Sequence, residues 1–350
     1  MKRVSRSAIV IIYLSICHLC TAQIELTNIK ELERIKNGTT YITFKDTNSA
    51  IAKQYMDIYR KYWTISKIKF INDTDIDLYV SPESSFFNMT CFDPTVAYVM
   101  YNPIYAPVYN GNYTSANNEY SSQLNTQMNS WHKPRTYKVT YLYMSLWTYK
   151  LNYLKKKNKR EPDDNDEITI ARIALFPDYQ ALIDPESIFQ YDYDWGGHIN
   201  NWSPEILKNY LLGLDSYFNA GKQIFFKANE IANKNKLVDL KTQTLYIPDY
   251  ILNIYGGVGR DQSQKHIPED LFKDYMYSYK IISTKELDSK IATDQAPFYY
   301  LIYVKDCGNK LITISDSQIG EVVYSTYTQM SYNVKPGDFK DISNAIKRSK

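Results

Sequence analysis

Apolar and polar residues follow a pattern that occurs twice along this 350-residue chain. In the first copy, the spacing predicts a buried strand, a helix and a second strand at residues 39–44, 49–63 and 67–71. In the second copy, the same order is predicted at residues 244–247, 268–279 and 280–283. A repeat of this kind indicates two related structural units.

Each copy continues with a short helix and then a pair of strands. The short helices are predicted at 75–86 and 284–291, where Ser283 or Thr284 can cap the second one. The paired strands are predicted at 137–152 with 167–176, and at 298–305 with 311–315, the latter extended by 321–327. A closing helix at 336–347 has Phe339, Ile342 and Ile346 on one face. Both halves thus read β-α-β-α-β-β-α, an α/β (α+β) fold with helices packed on a mixed sheet.

A long helical pattern separates the two halves. Ser203, Pro204 and Glu205 form a favourable helix start, and the pattern continues to residue 233. We therefore expect a first α/β domain at 23–202, a connecting helix at 203–241 and a second α/β domain at 242–350. A Tyr- and Asn-rich insert at 90–133 has no sustained period and is longer than an ordinary connection. It is either a functional flap or a segment that folds on a partner.

The N-terminus resembles a cleavable signal peptide. Three basic residues, Lys2, Arg3 and Arg6, precede an apolar run at 8–20, which leads to a small-residue cleavage site after Ala22. The run is shorter than the roughly 20 residues of a transmembrane helix. We expect residues 1–22 to be removed, no transmembrane segment to remain, and the product to be periplasmic or secreted.

Overall composition excludes some classes of protein. The formal net charge is only +3, with 41 basic and 38 acidic residues interspersed, which does not suit a nucleic-acid-binding protein. Tyrosine is abundant, at 34 residues, which is consistent with an AT-rich coding genome or with an adhesive surface. After signal cleavage Cys91 and Cys307 remain, and the sequence leaves open whether they pair.

Signatures of catalysis, metal binding and cofactor binding are scarce. The acidic segment at 163–167 lacks the glycine and the final acidic residue of a calcium loop, and the glycine loop at 256–259 lacks the Gly-Lys-Ser/Thr ending of a phosphate loop. His132, His198 and His266 show no metal-ligand spacing. The sequence therefore predicts no catalytic residue, no metal and no cofactor.

The segment 192–202 is the best candidate for recognition. Asp194, Trp195, His198 and Trp202 could bind a polar ligand such as a sugar, with an indole stacking on it and the carboxylate or imidazole acting as acid or base. The alternative, which the sequence favours, is a tight glycine turn that leads into the following helix and packs its aromatic residues at the domain junction.

Three segments carry a resemblance to known proteins. Residues 62–71, 244–248 and 314–324 look like a group of uncharacterised exported envelope proteins of Gram-negative anaerobes. At the level of the fold, the second half resembles the α/β domain of the curli-secretion channel protein and of lipoprotein activators of cell-wall synthases, whose hairpin turn is similar to residues 316–321. The resemblance implies an envelope location and supplies no site residues, and the lipid anchor usual in those proteins is missing here.

These observations lead to two functional hypotheses. The first is a non-enzymatic binding or scaffold protein whose partner is another envelope protein or a glycan. The second is an exported carbohydrate-binding protein or hydrolase that uses the segment 192–202.

Overall fold

The computed structural model describes residues 23–92, 95–98, 135–138, 141–155, 164–177, 199–226, 231–255, 264–306 and 308–350. The chain divides into two compact units, one formed by the residues up to 91 together with 141–350, and a smaller one formed by residues 92–140. Most of the insert predicted at 90–133 lies outside the described residues.

The first half of the larger unit contains a six-stranded sheet in the order β1-β8-β7-β4-β2-β3. Its strands are β1 (Ile24–Leu26), β2 (Thr39–Phe44), β3 (Lys67–Asn72), β4 (Ser84–Phe92), β7 (Tyr141–Tyr149) and β8 (Glu167–Leu175). Strand β2 runs parallel to β3 and β4, while β8 is antiparallel to β7 and β1. The sheet is therefore mixed, as the sequence predicts.

The second half repeats this arrangement with the order β13-β10-β14-β15-β16-β9. Its strands are β9 (Ile231–Ala232), β10 (Leu245–Pro248), β13 (Tyr279–Ile282), β14 (Tyr299–Asp306), β15 (Asn309–Asp316) and β16 (Val322–Thr328). Strand β10 is parallel to β13 and β14, and the last three strands are joined antiparallel. The matching strand orders give the two halves the same topology. Two small pairs complete the strands: β11 (Asn253–Ile254) with β12 (Gln264–Lys265), and, in the smaller unit, β5 (Thr95–Tyr98) with β6 (Arg135–Lys138).

Helices pack against both sheets. The α-helices are α1 (Leu32–Asn37), α2 (Ala50–Tyr62), α3 (Leu151–Leu154), α4 (Pro204–Ala220), α5 (Lys234–Leu237), α6 (Pro268–Leu271), α7 (Thr284–Thr293) and α8 (Pro336–Arg348). Short 3-10 helices lie at Ile29–Glu31, Asp73–Tyr79, Asp164–Asp166, Val238–Lys241 and Asp249–Leu252. Most buried apolar residues of the two halves form one contiguous cluster, and a smaller cluster in the first half includes Phe86 and Trp147.

Two predicted helices are shorter than their apolar spacing suggested. The helix expected at 75–86 is the 3-10 helix Asp73–Tyr79, and β4 begins at Ser84 with Phe86 and Phe87 both fully buried. A strand buried on both faces has no alternation, which explains why the periodicity missed β4. The helix expected at 268–279 is only α6, because Phe272 and Tyr275 reach the Phe339 ring from a non-helical turn.

The long joining helix expected to reach residue 233 ends at Ala220. Gly221 adopts a left-handed conformation with φ 61°, which terminates the helix, and Ile224 then pairs with Leu26 at the edge of the first sheet. Helix α4 is thus the last element of the first half, in the same position as α8 in the second half.

Helix α4 lies between the two halves. It packs on α2 of the first half and on α7 of the second. Across this junction the Asn209 amide donates to the Tyr300 hydroxyl over 2.9 Å, and Asp288 of α7 accepts the backbone N–H of Glu205 over 3.0 Å. Helix α8, in contrast, exposes a polar face. Its exposed residues include Lys340, Asp341, Asn344, Lys347 and Arg348.

Many tyrosines serve as core residues. The buried tyrosines include Tyr55, Tyr59, Tyr149, Tyr153, Tyr210, Tyr217, Tyr250, Tyr255, Tyr275, Tyr299, Tyr300, Tyr303 and Tyr324. Burial raises the pKa of the Tyr149 hydroxyl to about 12 and moves that of Tyr210 well above its usual value. These hydroxyls stay neutral at physiological pH and can act as hydrogen-bond donors inside the core.

The N-terminus of α7 has a helix cap whose contribution to stability can be tested by mutation. Ser283 and Glu286 form a capping box, in which the Ser283 hydroxyl accepts from the Glu286 N–H over 3.2 Å and the Glu286 carboxylate accepts from the Ser283 N–H over 2.7 Å. We expect Ser283→Ala to lower the free energy of unfolding by about 1 kcal/mol in urea titrations. Thr293→Ala, at the exposed end of the same helix, is the control; equal losses for both variants would contradict the cap.

The same box predicts a pH dependence. Hydrogen bonds from the Ser283 backbone and hydroxyl lower the pKa of Glu286. A carboxylate with a lowered pKa stabilises the fold above its unfolded pKa, and that contribution is lost as the pH falls through the folded pKa. The difference in stability between wild type and Glu286→Gln should therefore be present at neutral pH and disappear in acid.

Candidate functional site

Of the residues predicted to bind a ligand, the structure describes Trp202. Asp194, Trp195 and His198 lie outside the described residues. The Trp202 indole is 7% exposed and stacks with the rings of Tyr55, at 5.7 Å and 16°, and Tyr210, at 6.4 Å and 26°. A ring that is buried among other aromatic rings is not open to a sugar, so the geometry at this position favours packing.

Other features singled out in the sequence offer little chemistry. Burial lowers the pKa of His266, and its Nε2 has no hydrogen-bond partner. Within the described ranges, no three His, Cys, Asp or Glu side chains are grouped so that they could hold a metal ion. The glycine loop at 256–259 and the Cys307 side chain lie outside those ranges. None of the helices in the described part of the chain has the length and apolar character needed to cross a membrane.

A groove lies at the edge of the first sheet. We call it the edge groove, and its volume is about 830 Å³. It is lined by Thr27, Asn28, Ile29, Lys30, Glu31, Lys150, Glu167, Ile168, Thr169, Arg172 and Gln223. These residues come from the segment that follows β1, from the end of β7, from β8 and from the segment after α4.

One wall of the edge groove forms where the chain leaves the sheet after β1. The Thr27 N–H still donates to the Ile170 carbonyl over 2.9 Å. The Thr27 hydroxyl and the Asn28 amide then both donate to the Thr169 carbonyl, over 3.1 and 2.6 Å. These two side chains take the place of the next backbone hydrogen bonds between β1 and β8. The chain can therefore turn into the 3-10 helix Ile29–Glu31, which opens a space beside β8.

A β-bulge places the residues of the floor. In the β7–β8 ladder Leu146 pairs with Ala171 and Trp147 pairs with Thr169, so Ile170 is the extra residue. Side chains alternate between faces along a regular strand, and Thr169 and Arg172 would otherwise point to opposite sides. With the bulge between them, both residues line the groove, in line with the common occurrence of bulges at sheet edges.

Arg172 is held rigidly at one end of the groove. Its Nε donates to the Glu25 carboxylate over 2.9 Å, and a terminal nitrogen contacts the same oxygen. The guanidinium lies 5.0 Å from the Tyr143 ring and 5.8 Å from the Phe226 ring, which stack on each other at 13°. Ionic and cation–π contacts together fix its position.

The remaining charges are arranged around the opening. Glu31 is paired with Arg34 over 2.9 Å, and the Lys150 ammonium donates to the Asn165 carbonyl. Lys30 is exposed and forms no ion pair within the described part of the chain. Three basic side chains, two carboxylates, two amides and two hydroxyls thus surround Ile29 and Ile168. Among the described residues, charged, amide, hydroxyl and aliphatic side chains line the groove, and such a lining suits binding of a polar ligand.

Sequence reasoning missed the edge groove because its residues are far apart in the chain. The available signals were weak: Arg172 is a charged residue within an apolar strand, and Thr27-Asn28 is a pair of side chains that readily bond to nearby backbone. Comparison of the chain with protein-family models, with curated proteins and with solved structures found no match.

Proposed function

We propose that this protein is a non-catalytic binding protein of the bacterial cell envelope, exported by a signal peptide that is cleaved after Ala22, and that the edge groove binds an acidic oligosaccharide. The observation that supports this most is the lining of the groove, which combines three basic side chains, amide and hydroxyl groups with two aliphatic side chains; of its two carboxylates, that of Glu31 is paired with Arg34. Vicinal hydroxyls suit amide and hydroxyl partners, carboxylates suit Lys30, Lys150 and Arg172, and the aliphatic floor accepts the apolar face of a sugar ring.

The edge groove is built on a well-paired and largely buried strand. Strand β8, which forms the floor, is paired on both sides over residues 171–173, and Ile170, Ala171 and Ile173 are fully or almost fully buried. A groove built on such a strand is preorganised, which reduces the ordering cost of binding. The exported hydrolase hypothesis based on the segment 192–202 gains no support from the buried Trp202.

Calorimetric titration with a uronic-acid oligosaccharide tests the proposal, with a neutral oligosaccharide of the same length as the comparison. We expect saturable binding of the acidic ligand that weakens with added salt. The Lys30→Ala/Lys150→Ala variant should bind roughly fivefold to tenfold more weakly, because each exposed ion pair contributes up to about 1 kcal/mol.

Lys53→Ala is the matched control, since Lys53 is exposed on α2 and does not line the groove. It should bind as the wild type does. Absence of saturable binding, or equal weakening by Lys53→Ala and by the groove variant, would overturn the assignment of the ligand to this groove.

A further inference from the structure

Gln23 occupies an unusual position for a residue next to a predicted cleavage site. It is only 2% exposed. Its side-chain oxygen accepts a hydrogen bond from the Tyr210 hydroxyl over 2.8 Å, and its backbone carbonyl accepts from the Ala174 N–H over 2.8 Å. The first residues of most domains are poorly ordered unless something holds them. Here the start of the described chain is anchored inside the core.

One atom of this residue is not satisfied. The Gln23 Nε2 is buried and has no hydrogen-bond partner. The surrounding polar groups are committed to one another, since the Asn201 amide donates to the Tyr210 hydroxyl over 2.9 Å and to the Ala174 carbonyl over 3.0 Å. A buried, unsatisfied donor costs about 1–3 kcal/mol. The fold thus makes use of the Gln23 carbonyl oxygen and makes no use of its amide nitrogen.

Cleavage after Ala22 would create a second unfavourable group at the same place. Gln23 would become the first residue, and its new α-amino group, with an ordinary pKa of about 7.7–8.0, would carry positive charge near neutral pH. Burying a charge without a partner is expensive.

We infer that the mature protein begins with a pyroglutamate formed from Gln23. In this step the neutral α-amine attacks the side-chain Cδ, a bond forms between the α-nitrogen and Cδ, and the bond between Cδ and Nε2 breaks. The amide nitrogen leaves as ammonia after taking up the proton that the amine gives up. The chain loses one ammonia molecule, and no oxidant or other reactant is needed.

The product fits the site better than the open residue does. The five-membered lactam keeps a carbonyl oxygen, the group that accepts from Tyr210 in the structure. It lacks Nε2, the atom that has no partner, and it has no charged amine to bury. Cyclisation therefore removes the unsatisfied donor and the charge of the α-amino group while retaining the acceptor.

This inference rests on the proposed export, and mass spectrometry separates the two. The full chain is produced in an export-competent bacterial host, and the N-terminal peptide of the purified protein is sequenced by tandem mass spectrometry. We expect a peptide that starts at position 23 and is lighter by one ammonia molecule. A peptide that starts at Gln23 with its full mass would overturn the cyclisation and leave export standing. A peptide that retains residues 1–22 would overturn both.

A second measurement tests burial rather than mere formation of the ring. A pyroglutamate-removing aminopeptidase should leave the folded protein intact and should remove the first residue after unfolding in urea. Removal from the folded protein would contradict the buried position. The control is Gln23→Asn, whose shorter side chain cannot close a five-membered ring; this variant should keep an amine that reacts with an acylating label once the protein is unfolded.

Discussion

Replacing Asp338 by alanine is expected to lower the free energy of unfolding by about 3–5 kcal/mol, because the change leaves a buried lysine without its partner. The Lys310 side chain is 2% exposed, and its ammonium lies 2.5 Å from Asp338 Oδ2 and 3.1 Å from the Asn333 carbonyl. Asp338 also accepts the N–H of Lys335 over 2.7 Å at the start of α8. Urea unfolding followed by circular dichroism measures the loss.

Two companion variants separate charge from helix capping. Asp341→Ala removes an exposed carboxylate one turn further along α8 and should change stability by less than about 0.5 kcal/mol. The double variant Lys310→Met/Asp338→Leu removes both charges and should recover much of the stability, because replacing a buried ion pair with apolar residues is often neutral. A double variant no more stable than Asp338→Ala would show that the loss of stability comes from the helix cap rather than from the unpaired ammonium of Lys310.

Gly320→Ala is expected to be the most disruptive change at the junction between the two halves. Gly320 has φ 65°, which L-residues with side chains rarely adopt, and an added Cβ would lie 2.1 Å from the backbone carbonyl oxygen of Asn209 in α4. The backbone conformation alone costs roughly 1–2 kcal/mol. Because the second obstacle is backbone on a buried helix, we expect a total loss of about 3 kcal/mol or more.

Gly221 provides a matched control for this change. It has nearly the same conformation, with φ 61°, but an added Cβ would meet no atom within 4 Å. Gly221→Ala should therefore lose only the conformational part, about 1–2 kcal/mol. Urea unfolding of both variants measures the difference. Equal losses for the two glycines would show that the turn around Gly320 can move away from α4.

Local interactions explain what could be predicted from sequence. The strand β2, the helix α7 with its Ser283 cap, and the helix α8 with its apolar face all lie close to their predicted positions. Each of these elements has either one buried and one exposed face or capping residues close together in the sequence. The information that predicts the element therefore lies within a few turns of chain. The same logic identified the α/β class and the repeated order of elements, although it assigned two antiparallel strands to the first half and missed β4.

Long-range packing decided the rest. The sequence cannot show that Lys310 is buried, because the carboxylate that satisfies it lies 28 residues away on another element. Nor does it show that α4 ends at Gly221 and serves as the interface of both halves, since that depends on which surfaces meet in space. The edge groove includes Thr169 and Arg172, which stand on either side of the bulge residue Ile170, and a bulge cannot be located from local periodicity.

The sequence by itself therefore determined the fold class, the duplicated order of elements and the scarcity of catalytic signatures, because periodicity and motif spacing are local properties. Only the tertiary structure decided that the Trp202 indole is buried against Tyr55 and Tyr210, that Gln23 is anchored in the core, and that polar residues from four segments converge on the edge groove. The physical reason is that burial and convergence arise from contacts between residues distant in the chain, which local patterns do not encode.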